Sequence, residues 1–555
     1  MRDETSARET TLNDSVTVER KPSRFARLIS RYWPEGVIIA IAVALWAPRI
    51  SGPIDLRWDA GTYYVLGTSL ATGQGYRILS EPGSPEALQY PPLLPAIVAV
   101  CQRALGSTDP DVVAPWLRIL YAVLFLCYAL AVLALAKRYV RPVFAVAAVA
   151  LTLLHPYIIY FSDLLFTEIP FALISVLFVL VAADGPFSSR PWLREVALFV
   201  LATAGFLLRT VGVALLAAWV LEALVRRRWQ LALARGSLAI LPIIAWGTYV
   251  VRVTQSYEYA HPAYAYQRAP HQSYNVSYAD SIGLIDPSHP GWRHLRLSVL
   301  MNNLRANTRP LVESFGEAIS TSRRVPPLVL SALAIVGVAM LVRRRAWMIL
   351  LIVLVSVAII SIAWRNQFSR YLMPLTPFLA IGVMVAFDEL FAALSTLPAR
   401  PAIATFGQIT LAVLVSLALM LQIDLVQKLF NNRALRGASY VQGHGAMGPR
   451  FFIYNDVYRG WDVAIAWIQS HSNPNAIVVT QLPQLCYLRT GRRAVFPPAE
   501  RNQDRVRELL ESVPASYVIL NPHDSMPAVE KDNQRWRNVE SVARVRLYER
   551  ISGAE

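Results

Sequence analysis

Six side chains in this sequence have the types that sugar or phosphate chemistry needs. Asp59 follows the first apolar run, in "RWDAGTYYVLGTSLATGQGY" (residues 57–76). A free Asp titrates near a pKa of about 3.9, so Asp59 is ionised at neutral pH and can act as a general base on a hydroxyl. Asp is also a common helix N-cap, and the two roles are compatible. "HPYIIYFSDLLFTEIPF" (155–171) carries Asp163 and Glu168, the latter in the first turns of a helix whose dipole a carboxylate complements. "FLLRTVGVALL" (206–216) sets Arg209 between two apolar runs with almost no loop, as a snorkelling side chain or a phosphate ligand. "WRNQFSRYLMPLTPF" (364–378) adds Arg365 and Arg370.

The elements around these residues must be membrane helices. The chain has 555 residues, 55% of them hydrophobic and only 16% charged, and a mean hydropathy of +0.39. Eleven apolar runs approach the ~20 residues that cross a bilayer as helix. They lie near 34–50, 111–136, 142–158, 163–183, 193–208, 210–225, 237–251, 326–342, 346–363, 371–394 and 402–423. Leu93–Leu105 is about 20 Å of helix, too short to span, and is placed in the interface. No small-residue cleavage site follows the Val37–Trp46 run, which reads as an uncleaved anchor. The net charge of +16 is not a nucleic-acid signature, because no recognition module accompanies it. Cys101, Cys127 and Cys486 imply no disulfide framework.

Charge bias orients the spans. Thirteen Lys and Arg fall in the short inner loops on this map, against three in the outer ones. The positive-inside rule then puts the N-terminus in the cytoplasm and the C-terminus outside. Residues 1–33 form a basic cytoplasmic tail. A transmembrane domain follows over 34–423, with outer loops 51–110 and 252–325. Residues 424–555 form a small extracytoplasmic α/β domain. In that domain "WDVAIAWIQSHS" and "DRVRELLES" have helical spacing, "AIVVT" and "SYVIL" read as buried strands, and "VARVRLYER" alternates like an edge strand.

Span interiors are nearly free of charge, while Asp59, Asp163, Glu168, Arg209, Arg365 and Arg370 gather at outer ends. Intramembrane charges are costly and commonly functional, and an ion-coupled transporter more typically places acids at the midplane. Residues 60–72 put Tyr63, Leu66 and Leu70 on one helical face, suited to a helix in the headgroup layer that holds Asp59 there. The loop 256–280 is dense in tyrosine, fitting an interfacial belt or a sugar or lipid site. It holds His261 and His271, whose spacing matches no metal motif. Asn275-Val276-Ser277 has the form of a glycosylation sequon. Tyr63, Arg77, Tyr90, Asp163 and Arg365 are further candidates for lining a substrate.

The order of Asp59, "SLATGQGYR", "YPPLLP", "TEIPF", "LLRTVG" and "SRYLMPLTPF" resembles the GT-C membrane glycosyltransferases. The branch is the one containing protein O-mannosyltransferases and the aminoarabinose transferase of lipid A. The resemblance covers nearly the whole chain, through "WIQSHSNPNAIVVT" and "YLRTGRRAVFPP" in the tail. It implies a polyprenyl-phosphate sugar as donor, Asp59 as catalytic base, Glu168 as second acid and Arg209 as the cationic residue of the turn between later spans. Ala60 stands where many members have a paired acid, and Tyr90 where some have Lys before Pro-Pro. These differences count against the protein O-mannosyl and aminoarabinose subtypes respectively.

The expectation is therefore an inverting transferase in a bacterial inner membrane, moving a sugar to a hydroxyl-bearing envelope acceptor. Asp59 would activate the hydroxyl, Arg209 or Arg370 would steady the phosphate, and Glu168 would position acceptor or sugar. No metal site or cofactor is defined, and a divalent cation stays open. The partners are the donor, the acceptor and membrane lipids, with no nucleic acid. A lipid or solute transporter without covalent chemistry is the alternative, and a non-catalytic assembly subunit a third reading.

Overall fold

The computed structural model describes residues 24–183, 190–269, 272–278, 297–322, 324–363, 368–395, 401–435, 440–441, 446–447 and 454–551. Long aliphatic runs become helices, and proline marks where several begin. It costs nothing at the first helical position, where the N–H has no partner in any case. Pro110, Pro142, Pro156 and Pro191 open four of them, and the Asp109 side chain caps the first of these at the Asp111 N–H.

The helices of the apolar part are α1 (Arg24–Trp46), α2 (Asp59–Ala71), α3 (Leu93–Leu105), α4 (Pro110–Ala136), α5 (Pro142–Leu153), α6 (Pro156–Asp163), α7 (Glu168–Ala182), α8 (Pro191–Leu208), α9 (Val213–Val225) and α10 (Trp229–Thr254). After a one-turn α11 (Tyr257–Ala260) come α12 (Leu297–Glu317), α13 (Pro327–Arg343), α14 (Trp347–Ala363), α15 (Phe368–Leu372), α16 (Thr376–Ser395) and α17 (Pro401–Leu435). Among the described residues, five helices are long and apolar enough to cross a membrane, or six if α5 and α6, bent by 56° at their junction, make one span. Five more apolar helices have 10–17 residues. The expected count of about eleven is thus not reproduced by length and composition alone. The α17 helix runs through the domain boundary expected at 424.

Close packing holds the bundle together. The rings of Tyr121, Phe125 and Tyr128 on α4 are fully buried. Helices α13 and α16 meet at two glycines, where a Cβ on Gly337 would lie 2.5 Å from the Gly382 carbonyl carbon. Small residues permit such backbone approach, which is how apolar helices associate in a lipid solvent.

Two features differ from the sequence reading. The α2 helix is buried on nearly all sides, packed on α3, so it is not the one-sided amphipathic helix expected for the headgroup layer. Gly67 explains part of this, since a Cβ there would meet the Val98 side chain. The second difference lies in the C-terminal domain. Its helices are α18 (Asp456–His471), α19 (Pro483–Thr490), α20 (Gln503–Glu511) and α21 (Pro527–Glu530). After the two-residue strands β1 (Tyr440–Val441) and β2 (Ala446–Met447) come β3 (Ile477–Val479), β4 (Arg493–Val495), β5 (Ala515–Leu520), β6 (Trp536–Val542) and β7 (Val545–Arg550). The sheet order is β4-β3-β5-β7-β6, parallel over the first three and antiparallel over the last two pairs. "AIVVT" and "SYVIL" form inner strands as expected. The "VARVRLYER" strand is an inner one too, and β4 and β6 are the edges. A polar alternation on β7 looked like an edge because Arg546 pairs with Glu530 and Asp524 rather than with water.

One face of this sheet packs under α18 through Ala464, Ile465 and Ile468. The other face holds Val479, Val518 and Leu509, together with Tyr264 and Tyr266 from the tyrosine-rich loop. That loop is therefore part of the domain's core. Glu81 ties the loop to the first outer segment by accepting from Asn275 Nδ2 at 2.6 Å and Tyr264 OH at 3.1 Å. Burial pushes the Glu81 carboxyl up from its ordinary value.

Candidate active site

Asp59 begins α2, and the residue before it is the strained point of the turn. Trp58 has φ 55° and ψ −133°, a region a bulky side chain rarely adopts. No side chain caps the helix, so the N-cap reading of Asp59 does not hold. Its carboxylate faces outward from the turn instead, accepting from Arg370 Nη2 at 2.6 Å and lying 3.5 Å from the Tyr274 hydroxyl.

A backbone bridge keeps this turn beside α7. The Asp55 N–H donates to the Asp163 carbonyl, and the Leu165 N–H returns to the Asp55 carbonyl, both at 3.1 Å. The Asp163 side chain accepts from Arg118 at 2.8 Å and sits 3.8 Å from Arg49. Arg118 also binds the carbonyls of Pro53 and Arg49. Asp163 is thus the buried hub of a brace between α1, α4 and α6 and lines neither cavity described below. This corrects its assignment as substrate-lining.

Arg209 is held by a tight corner between α8 and α9. A Cβ on Gly212 would collide with the Gly205 carbonyl, so glycine lets the two helix ends close up. The guanidinium reaches Glu168 Oε1 at 2.7 Å and Thr167 Oγ1 at 3.3 Å. Arg370 Nε meets the same Glu168 oxygen at 2.7 Å. The four expected residues therefore form one chain of charge-assisted contacts, Asp59–Arg370–Glu168–Arg209. Contacts of this kind are about twice as strong as neutral hydrogen bonds.

Exposure separates their roles. The Glu168 side chain is 0% exposed, against 16% for Asp59 and 19% for Arg370. Glu168 lies behind the two arginines and lines neither cavity, so it holds cations and does not meet acceptor or sugar as expected.

Two cavities share the Asp59–Arg370 pair as their common wall. One, of about 240 Å3, also carries Arg209, Thr210, Gln89, Tyr63, Tyr90 and Tyr278. The other, of about 410 Å3, is walled by Trp58, Tyr157, Tyr160, Phe166, Tyr274 and Ser369. Tyr63 and Tyr90 take their expected places. Arg77 does not: it is bound by Glu258 at 2.9 and 3.1 Å and by the Ser84 carbonyl, away from both cavities. Arg365 and His271 lie outside the described residues. His261 is exposed and stacks on Tyr257. Asn275 is fully buried on Glu81, so the sequon is closed to modification. Among the described residues no three His, Cys, Asp or Glu side chains converge. The site's two carboxylates already face guanidinium groups, which does not fit a divalent ion.

Sequence reading missed Gln89, Tyr160 and Thr210 as cavity residues. It noticed Tyr274 and Tyr278 only as part of a tyrosine-dense loop. That density was the available signal.

The fold, an apolar helical bundle with a small α/β domain, is similar to those of two solved proteins. The oligosaccharyltransferase AglB from Archaeoglobus fulgidus, solved with an inhibitory peptide and a dolichol-phosphate, superposes at a TM-score of 0.52 with 14% identity, covering 88% of this chain and 69% of that one. ArnT from Cupriavidus metallidurans bound to undecaprenyl phosphate superposes at 0.50 with 14% identity, covering 94% and 99%. No protein-family model matches the sequence, and no curated protein matches it.

Proposed function

We propose that this chain is a membrane glycosyltransferase that moves a sugar from a polyprenyl-phosphate donor to a hydroxyl acceptor, with inversion at the sugar carbon. One observation carries this reading: the Asp59–Arg370 pair stands at the wall between two cavities, with Arg209 opening into only one of them. The lipid phosphates bound by the two structural neighbours support a lipid-linked donor. Sugar and acceptor are not specified by these residues.

The donor phosphate enters beside Arg209, and the acceptor hydroxyl approaches from the aromatic cavity. Its oxygen attacks the anomeric carbon from the face opposite the phosphate, and its proton passes to Asp59. The carbon–oxygen bond to phosphate breaks, and polyprenyl phosphate leaves with the bonding pair. Arg209 and Arg370 stabilise the charge that gathers there. A phosphate leaves as an anion, so no second carboxylate is needed as an acid, in contrast to glycosidases. Glu168 keeps both guanidiniums aimed. The reading puts the site on the outer face of a bacterial inner membrane, as the charge bias favours.

Transfer from radiolabelled undecaprenyl-phosphate hexoses and pentoses to an envelope fraction from cells lacking the gene tests this. Asp59→Asn should lower kcat by about 100- to 10,000-fold, the usual range for losing a general base. Arg209→Ala should raise the donor KM by about tenfold or more. A folded Asp59→Asn chain with full activity would remove the base assignment. Substrate movement that persists in that variant without transfer would favour a transporter.

A further inference from the structure

The C-terminal domain reaches the site at its most strained point. Tyr458, on α18, lays its ring 4.0 Å from the Arg57 guanidinium carbon and meets the Trp58 ring edge-on at 5.9 Å. Arg57 is itself fixed by Asp55 through hydrogen bonds of 2.9 and 2.8 Å. Two residues beyond Asp59, the α19 helix rests against Gly61 so closely that a Cβ there would lie 2.9 Å from the Gln484 Cβ. Residues 57, 58 and 61 are therefore all in contact with this one domain.

A second line of contact comes through the tyrosine-rich loop. Phe496, just after β4, stacks on Tyr274 with centroids 5.5 Å apart, and Tyr274 in turn packs on Tyr90 at 5.7 Å. The Tyr274 hydroxyl is the one that faces Asp59. The Phe496 carbonyl accepts from Tyr266 OH at 3.1 Å, and the Ala494 N–H donates to the Ser80 carbonyl at 2.7 Å. The β4 edge is thereby stitched to both outer segments.

A tryptophan at positive φ persists only where its surroundings over-determine it, and such strain gathers at functional sites. Here the surroundings on one side are Tyr458 and α19, and on the other the ring of Tyr160. The bundle holds this turn through Tyr160 and the Asp59–Arg370 pair, and the C-terminal domain adds the contacts of Tyr458 and α19. We infer that the C-terminal domain is a clamp on the base turn, with Tyr458 and Phe496 as positioning residues that act through Trp58 and Tyr274. This rests on the transferase reading above and assigns the domain a part in the chemical step. Neither residue lines the Arg209 cavity, so the clamp should affect turnover and leave donor binding alone.

The test is steady-state transfer by the full-length protein, using the same undecaprenyl-phosphate sugars and envelope fraction. Tyr458→Ala and Phe496→Ala should each lower kcat by about tenfold or more, since small misplacements of a reacting group are costly. The donor KM should stay within about twofold, as expected when an interaction matters only in the transition state. Tyr458→Phe, which keeps the ring, should restore wild-type kcat, and Arg537→Ala on the exposed β6 edge should match wild type throughout. Where Tyr458→Ala fails to fold, Tyr458→Leu takes its place, keeping bulk while losing the ring. Folded variants with wild-type kcat, or with a defect carried by KM alone, overturn the clamp. A wild-type chain that transfers no sugar overturns the transferase reading instead.

Discussion

Arg370 divides its guanidinium between two carboxylates, Asp59 and Glu168. A lysine has a single ammonium on a flexible stem and cannot hold both oxygens in one plane. Arg370→Lys is therefore expected to cut kcat by about 100-fold, the scale of losing one charge-stabilising donor. The cut should exceed any change in melting temperature, read side by side in detergent. Asp163 predicts the opposite pattern. Its carboxylate neutralises Arg118 and lies near Arg49, both of them fully buried. Asp163→Asn leaves that buried positive charge uncompensated, a change that typically costs about 3–5 kcal/mol. Thermal unfolding should show a large loss of stability, while the remaining folded protein keeps its donor KM. The sequence showed Asp163 and Glu168 only five residues apart, with no sign of which would pair with the cavity arginines. Both are buried, and it is their partners that separate the brace from the site: Asp163 faces Arg118 and Arg49, Glu168 faces Arg209 and Arg370.

At the scale of elements, proline starts and apolar runs made nearly every helix of the bundle legible in advance, as did the α/β character of the tail. What misled was surface patterning. Local alternation on β7 reports which side chains are polar and says nothing of their partners, and α2 looked one-sided because its glycines leave no hydrophobic signal where α3 and α19 press in. The α18 helix carries a prediction of its own. Asp462 is buried there, with the Tyr454 hydroxyl donating to it at 2.6 Å, and burial pushes its carboxyl up to about 7. Its folded value stands above the ordinary 3.8, so the folded state holds the proton more tightly than the unfolded chain. Stability from this group is fully present below the unfolded value and is lost as pH rises through the folded one. Melting temperature should therefore fall as pH is raised from about 4 to about 7, and Asp462→Asn should flatten that dependence.

For the whole molecule, the tyrosine-rich loop joins the two parts. Tyr264 and Tyr266 complete one face of the domain's core, while Tyr274 and Tyr278 reach the cavities. Tyr266→Ala should lower hydrogen-exchange protection in β5, on the opposite side of that core, which mass spectrometry of the exchanged protein would read directly. The sequence by itself determined a membrane-embedded helical bundle, an α/β tail and the identity of the acid–arginine set, because hydropathy, proline placement and charge rarity are local properties of the chain. Only the tertiary structure decided that Asp59, Glu168, Arg209 and Arg370 meet, that Asp163 and Arg77 stand apart, and that the tail packs against the turn before Asp59. Those contacts join residues up to 311 positions apart. Their geometry depends on how separate helices pack, which no local pattern of side chains encodes.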